Sequence, residues 1–221
     1  MQRNTLIFDL DGTIAHTAPD LIATLNRVTA QLDIPAVDLS QVNQIVGHGA
    51  KAMLKRAFDL AGRSVSEEDH EQLFQAFLKD YTLNIANETY IFDGLLNAMD
   101  SLENKGFSFC VCTNKMEDMA RVLLKELSID NRFKALSGGN TFPFRKPDGR
   151  HLKETVALFG QSINTAIMIG DSSTDINAAI DAGIPSIAVT FGYTDVPAVQ
   201  LGATKVISHF DELEDTIMLI A

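Results

Sequence analysis

The chain has 221 residues, 46% of them apolar and 21% charged, with 14 glycines and 6 prolines. That is globular composition, and it excludes a disordered, collagen-like or low-complexity chain. A net charge of −11 disfavours binding to nucleic acid, which needs a basic footprint, while an anionic small substrate would need a cation or a focused basic residue at its site. No apolar run reaches the ~18 residues of a membrane span. Residues 1–15 also lack a basic start leading into a cleavable apolar stretch, so a cytoplasmic protein with no membrane contact is expected.

The first element in the chain is a short apolar strand, TLIF at residues 5–8, running into acidic residues and Gly12. From Thr17 to Asn87 the spacing turns helical: Leu21, Leu25, Val28 and Leu32, then Met53, Leu54, Ala57 and Phe58, then Leu73, Phe74, Phe77 and Tyr81. Breakers at Pro35, Gly47, Gly49 and Gly62 divide this stretch into four helices. The aromatic stripe of the last is expected to be packing.

From about Ile91 strands and helices alternate. A helix near Gly94–Lys105 precedes the strand FSFCVC, and a helix near Glu117–Leu127 follows it. A weaker strand at KALSG leads to a helix near Leu152–Phe159, and TAIMIG leads to a helix at Thr174–Ala182 stopped by Gly183 and Pro185. SIAVT, KVIS and a helix near Asp211–Ile220 complete the run. Nearly continuous apolar strands alternating with helices predict an α/β fold, a doubly wound, mostly parallel sheet covered on both faces, with a Rossmann-like core. The core takes residues 1–16 and 88–221, and an all-helical segment at 17–87 is inserted after the first strand. Cys110 and Cys112 fall on one face of their strand and read as small core residues in a reducing compartment.

Three of these strands end in polar residues: TLIF in Asp9-Leu10-Asp11-Gly12-Thr13, FSFCVC in Thr113-Asn114-Lys115, and TAIMIG in Asp171-Ser172-Ser173-Thr174-Asp175. In an open α/β sheet the ligand crevice lies outside such ends, so the fold itself predicts their convergence. Lys146-Pro147 sits in the loop between the second and third. Asp9 and Asp11 can face one side while the chain is extended, and Gly12 permits a tight turn after them. A like-charge pair 4 Å apart costs about 4 kcal/mol at an effective dielectric of 20, and Asp171 and Asp175 add to the crowding. A hard divalent cation, Mg²⁺, is the expected remedy, with Lys146 supplying one more positive charge. A carboxylate in such a site can attack phosphorus and a second carboxyl can protonate the leaving oxygen. Crowding by like charge suits Asp11 to that acid role. The Thr113 hydroxyl and backbone N–H groups around Asn114, at a helix start, offer donors for phosphoryl oxygens.

The order DLDGT, TN, KP and GDSSTD resembles the four signature motifs of haloacid dehalogenase-like phosphatases, and the segment at 17–87 looks like their helical cap. FDLDGTIAHTAPDL, VGHGAKAMLKRAF, RKPDGRHL and MIGDSSTDINAAIDAGIP are most similar to bacterial phosphoglycolate phosphatases. The resemblance implies Asp9 as nucleophile and Asp11 as general acid and base. It implies Mg²⁺ held by the Asp9 carboxylate, the Asp11 backbone carbonyl and Asp171, with Asp175 supporting the metal ligands from behind. It implies Thr113, Asn114 and Lys146 as the phosphoryl clamp. His16 stands where many relatives have Asp, and Asp148-Gly149 departs from the usual residues after Lys146-Pro147.

Gly47, His48 and Gly49, with Lys51 and Arg56 beyond, read either as a loop that recognises the substrate's non-phosphate end, through Gly47 and Arg56, or as a solvated helix–helix turn. His70, His151 and His209 read as surface residues. The expected activity is Mg²⁺-dependent hydrolysis of a small anionic phosphate ester, with 2-phosphoglycolate as first choice, by a monomer or homodimer. The alternatives are a sugar-phosphate mutase, a pyrophosphatase and, remotely, a non-catalytic binding protein on the same fold.

Overall fold

In a computed structural model, residues 3–46, 49–194 and 196–220 are described. Six parallel strands run in the order β5-β4-β1-β6-β7-β8: β1 (Thr5–Phe8), β4 (Ser108–Cys112), β5 (Phe133–Ser137), β6 (Ala166–Gly170), β7 (Ser186–Val189) and β8 (Lys205–Ile207). Every residue of β1 and β6 is buried. These are the strands whose sequences read as unbroken apolar runs, because central parallel strands meet helices on both faces. Alternation assigns Leu6 and Phe8 to one face of the sheet and Ile7 to the other, where Cys110, Cys112 and Met168 join it. Phe8 and Phe109 meet edge to face on the first side, ring centroids 5.9 Å apart.

A two-stranded antiparallel ladder of β2 (Ala15–His16) and β3 (Tyr90–Ile91) was not anticipated by the sequence pattern. Two residues per strand give no period to detect. Between these strands the described residues form α1 (Ala18–Thr29), α2 (Val42–Ile45), α3 (Ala50–Leu60) and α4 (Glu67–Leu83), with two 3-10 turns. Pro19 lies in the first turn of α1, where its missing N–H costs nothing. Ser66 caps α4, accepting from the Asp69 N–H, and Glu67, Glu68 and Asp69 place negative charge on its first turn. Leu25, Met53, Phe77 and Tyr81 from these helices share one buried cluster with Phe8, so the helical stretch packs continuously with one side of the sheet.

The remaining helices, α5 (Leu95–Asn104), α6 (Glu117–Glu126), α7 (Gly149–Ala157), α8 (Ser173–Ala182) and α9 (Leu213–Met218), cover the sheet. α7 begins three residues ahead of the expected start, because Asp148 caps it by accepting from the Arg150 N–H at 2.9 Å. Among the described residues no helix is long and apolar enough to cross a membrane.

Candidate active site

Register places the site. Phe8, the last residue of β1, lies opposite Val111 of β4 and Ile169 of β6, so Asp9, Thr113 and Asp171 emerge together at the C-terminal ends of three adjacent strands. This is the crevice where strand order reverses.

Asp171 is held from two sides. Its Oδ1 accepts from the Thr13 hydroxyl at 3.0 Å and its Oδ2 from the Tyr193 N–H at 2.6 Å. Glycines wall it in: a Cβ on Gly192 would lie 2.1 Å from the Asp171 Cβ, and one on Gly12, whose φ is +86°, 2.4 Å from Oδ2. Asp175 sits in the first turn of α8, where its Oδ2 accepts from the Ser172 N–H at 3.0 Å and the Ser172 hydroxyl at 2.6 Å. Its Oδ1 lies 2.6 Å from Lys146 Nζ. The same ammonium stands 2.7 Å from Asp9 Oδ1, an ion pair without hydrogen-bond geometry, which leaves that buried oxygen with no hydrogen-bond partner.

Oxygens of Asp9, Asp171 and Asp175 all lie within 4.8 Å of one another. Burial pushes the Asp9 carboxyl up to about 7, against the pull of Lys146 and helped by the charge on Asp175. Burial raises Asp171 well above the ordinary carboxylate range, and Asp175 and Asp9 add to that rise. Burial opposes the charge on Lys146, but Asp175 and Asp9 outweigh it and hold the ammonium protonated. Three buried acids against one buried lysine leave a deficit of positive charge. A hard cation with oxygen ligands fits that deficit and the Asp9 Oδ1 that accepts no hydrogen bond.

Asp11 has a different neighbourhood from the one expected. Its carboxylate lies outside the group of three and meets Lys115, whose Nζ donates to Oδ1 at 2.9 Å and Oδ2 at 3.1 Å. Asp11 therefore has a cation in direct contact, while its own charge still bears on Asp9 and helps push that carboxyl up. Lys115 also donates to the Tyr81 hydroxyl at 2.9 Å. Lys115 and Tyr81 were missed as site residues. Lys115 directly follows the Thr113-Asn114 pair, which is the one local signal, and Tyr81 reads from sequence only as part of a packing stripe.

Thr113 is buried, its hydroxyl accepting from the Lys115 N–H at 3.1 Å. Asn114 donates from Nδ2 to the Lys146 carbonyl at 3.1 Å, and its buried Oδ1 has no partner. α6 starts three residues beyond Asn114, so Asn114 precedes the helix rather than forming its first turn. Asp9, Asp11, Thr113, Asn114 and Lys115 line a cavity of about 400 Å³, with Phe77, Tyr81, Lys51 and Arg145 on its other sides. Arg56 is solvent-exposed on α3 and lies outside that lining. Gly47 and His48 lie outside the described residues.

A family model for haloacid dehalogenase-like hydrolases matches residues 6–189. The chain belongs to that family. It is 43% identical to a phosphoglycolate phosphatase of Mesorhizobium japonicum over 96% of this chain and 94% of that one. It is 42% identical to a phosphoglycolate phosphatase of Agrobacterium fabrum over 94% of this chain and 89% of the relative. The crystal structure of a predicted phosphoglycolate phosphatase from Haemophilus somnus superposes with a TM-score of 0.91 at 26% identity, covering 98% of each chain.

Within this haloacid dehalogenase-like hydrolase the unusual sequence positions have local explanations. His16 Nδ1 and the Tyr193 hydroxyl are hydrogen-bonded 3.0 Å apart, and that hydroxyl accepts from the Ala18 N–H, also at 3.0 Å. Gly149, beside the cap Asp148, lets α7 approach α8: a Cβ there would lie 2.5 Å from the Ala182 backbone nitrogen. His151 corrects the sequence reading. It is fully buried behind Lys146, accepting from the Lys146 N–H at 3.2 Å and facing the Ser137 hydroxyl at 2.9 Å. A helix that packs both against the sheet and behind the site buries a polar residue when partners are waiting for it.

Proposed function

We propose that this chain is a Mg²⁺-dependent phosphatase that hydrolyses a small phosphomonoester, 2-phosphoglycolate, through an aspartyl phosphate on Asp9. The observation that carries it is the convergence of Asp9, Asp171, Asp175 and Lys146 at one strand edge. The relatives most similar in sequence, named phosphoglycolate phosphatases, support the substrate.

In this reading an Asp9 oxygen attacks phosphorus, the O–P bond forms, and the ester P–O bond breaks. The leaving oxygen takes its proton from Asp11. Water then attacks the phosphoryl group, Asp11 recovers a proton from it, and the Asp9 carboxylate and inorganic phosphate are released. Lys146 offsets negative charge beside the nucleophile, and Thr113 and Asn114 hold phosphoryl oxygens. Mg²⁺ would be held by the carboxylates of Asp9 and Asp171 and the Asp11 backbone carbonyl, with Asp175 supporting them, and would neutralise charge on the phosphoryl oxygens. Residues 17–87 act as a cap over a core of 1–16 and 88–221, excluding water during transfer.

The test is phosphate release from a panel of small phosphate esters, with and without Mg²⁺, for the wild type and Asp9→Asn. The wild type should release phosphate only with Mg²⁺ and fastest from phosphoglycolate, while Asp9→Asn stays folded by circular dichroism and inactive. Mg²⁺-dependent turnover by Asp9→Asn would overturn the covalent mechanism, and interconversion of glucose 1- and 6-phosphates without net release would overturn the hydrolase.

A further inference from the structure

The groups that hold the phosphoryl end leave the non-phosphate end of the substrate without a partner. Lys115, its side chain 5% exposed, is a buried cation at the edge of the cavity and outside the cluster of three acids. An ammonium has three hydrogens and no lone pair, so it can only donate. Two protein groups take from it, the Asp11 carboxylate through both of its oxygens and the Tyr81 hydroxyl, so a substrate oxygen would share its hydrogens with Asp11. Because the Tyr81 oxygen accepts from Lys115, its own O–H points elsewhere, and among the described residues it meets no acceptor. Burial pushes that phenol up to about 12, so it keeps the proton at neutral pH. A cationic donor and a neutral donor therefore stand side by side against the cavity.

The other cations nearby are also paired or are exposed, and none of them touches Asp11. Lys146 is pinned between Asp9 and Asp175, and Lys51 is solvent-exposed and paired with Glu71 at 2.6 Å. Arg145 is exposed at the cavity margin. Much of the remaining wall is apolar, including Leu21, Val46, Met53 and Phe77. An anionic group placed against such a wall would be desolvated without a donor.

We infer that Lys115 and Tyr81 together anchor a carboxylate on the substrate, so that the site selects small phosphate monoesters bearing a carboxylate one methylene from the ester oxygen. This rests on the phosphatase reading and deepens it. The leaving oxygen must come within hydrogen-bond reach of Asp11 to receive its proton. Lys115 Nζ is 2.9 Å from that same carboxylate, so a group one methylene beyond the leaving oxygen falls beside the ammonium. Two donors from separate residues match the two oxygens of a planar carboxylate. Tyr81 belongs to α4 and Lys115 to the loop after β4, so both the helical stretch and the sheet contribute to selection.

The experiment compares 2-phosphoglycolate with ethyl phosphate, in which a methyl replaces the carboxylate, for the wild type, Lys115→Met and Tyr81→Phe. Inhibition by 3-phosphonopropionate and by propylphosphonate is measured in parallel. The wild type should favour phosphoglycolate in kcat/KM by about a hundredfold or more, the discrimination a buried donor pair gives against an analogue lacking its partner. Tyr81→Phe should cut that preference roughly tenfold and Lys115→Met should abolish it, with matching changes in the ratio of the two inhibition constants. Lys115 also touches Asp11, so kcat falls for both esters in Lys115→Met, whereas the ratios respond to the anchor alone.

Equal losses on both esters, with both ratios unchanged, would overturn the anchor. Wild-type enzyme that cleaves ethyl phosphate as readily as phosphoglycolate would also remove it while leaving the phosphatase standing. Cleavage of neither ester would remove both. If Lys115→Met does not fold, Tyr81→Phe decides, since it keeps the ring and loses one oxygen.

Discussion

Lys146 Nζ and Asp175 Oδ1 lie 2.6 Å apart where neither side chain reaches solvent. Taking one partner away from a buried pair leaves the other uncompensated, typically at about 3–5 kcal/mol. Here Asp9, 2.7 Å from the same ammonium, would be stranded as well. Lys146→Met is therefore expected to lose stability of that order in urea at pH 7.5, and less at pH 5, where protonation relieves the acids. A loss below about 1 kcal/mol at pH 7.5 would show that the lysine does not offset them.

His151 predicts an acid-side dependence. Burial, with Lys146 second, lowers its imidazole from 6.5 to about 4. Between those values the unfolded chain holds more protons than the folded one, so stability rises with pH. The contribution is complete above about 6.5 and lost as pH falls through 4, a span worth roughly 3 kcal/mol. His151→Gln should flatten this part of the profile when urea midpoints are compared at pH 7 and pH 4.5. An unchanged slope would count against a neutral buried imidazole.

Gly192 tests how closely Asp171 is positioned. An added Cβ would fall 2.1 Å from the Asp171 Cβ, and both carboxylate oxygens are already committed to Thr13 and Tyr193. Gly192→Ala must move the acid. Misplacing a metal-binding group through its surroundings typically costs tenfold or more in affinity. Calorimetric titration with Mg²⁺ should show that weakening, and affinity equal to wild type would place Asp171 outside the metal site.

Asp20 joins the two ends of the helical stretch. Buried on α1, it accepts from the Glu88 N–H, the Thr89 N–H and the Thr89 hydroxyl at 2.8–3.1 Å. Asp20→Ala removes the acceptor, and about 1–3 kcal/mol should be lost in thermal or urea unfolding because water reaches exposed Glu88 and tempers the penalty. Asp20→Asn keeps one acceptor oxygen and should recover part of the loss. Equal stability of all three proteins would contradict the role.

Much of the fold is legible without coordinates because its signals are local. TLIF and TAIMIG are apolar along their whole length, as central parallel strands must be, and both are fully buried. Leu73, Phe74, Phe77 and Tyr81 repeat at the helical period, and α4 spans them. Asp9, Thr113 and Asp171 follow strands directly, so the fold class alone brings them to one edge. The β2–β3 ladder is too short to leave a pattern, and the start of α7 depends on a cap that the apolar spacing does not show.

What the linear chain determines by itself is which residue types stand at the strand ends, since a strand's direction carries its last side chain to a known side of the sheet. What only tertiary structure decides is the partner each of those groups meets. Asp11 is two residues from Asp9 yet pairs with Lys115, 104 positions away, and His151, polar by sequence context, is buried behind Lys146. Hydrogen bonds and ion pairs need contact at about 3 Å, and distances that short between remote residues exist only after the sheet and helices have packed.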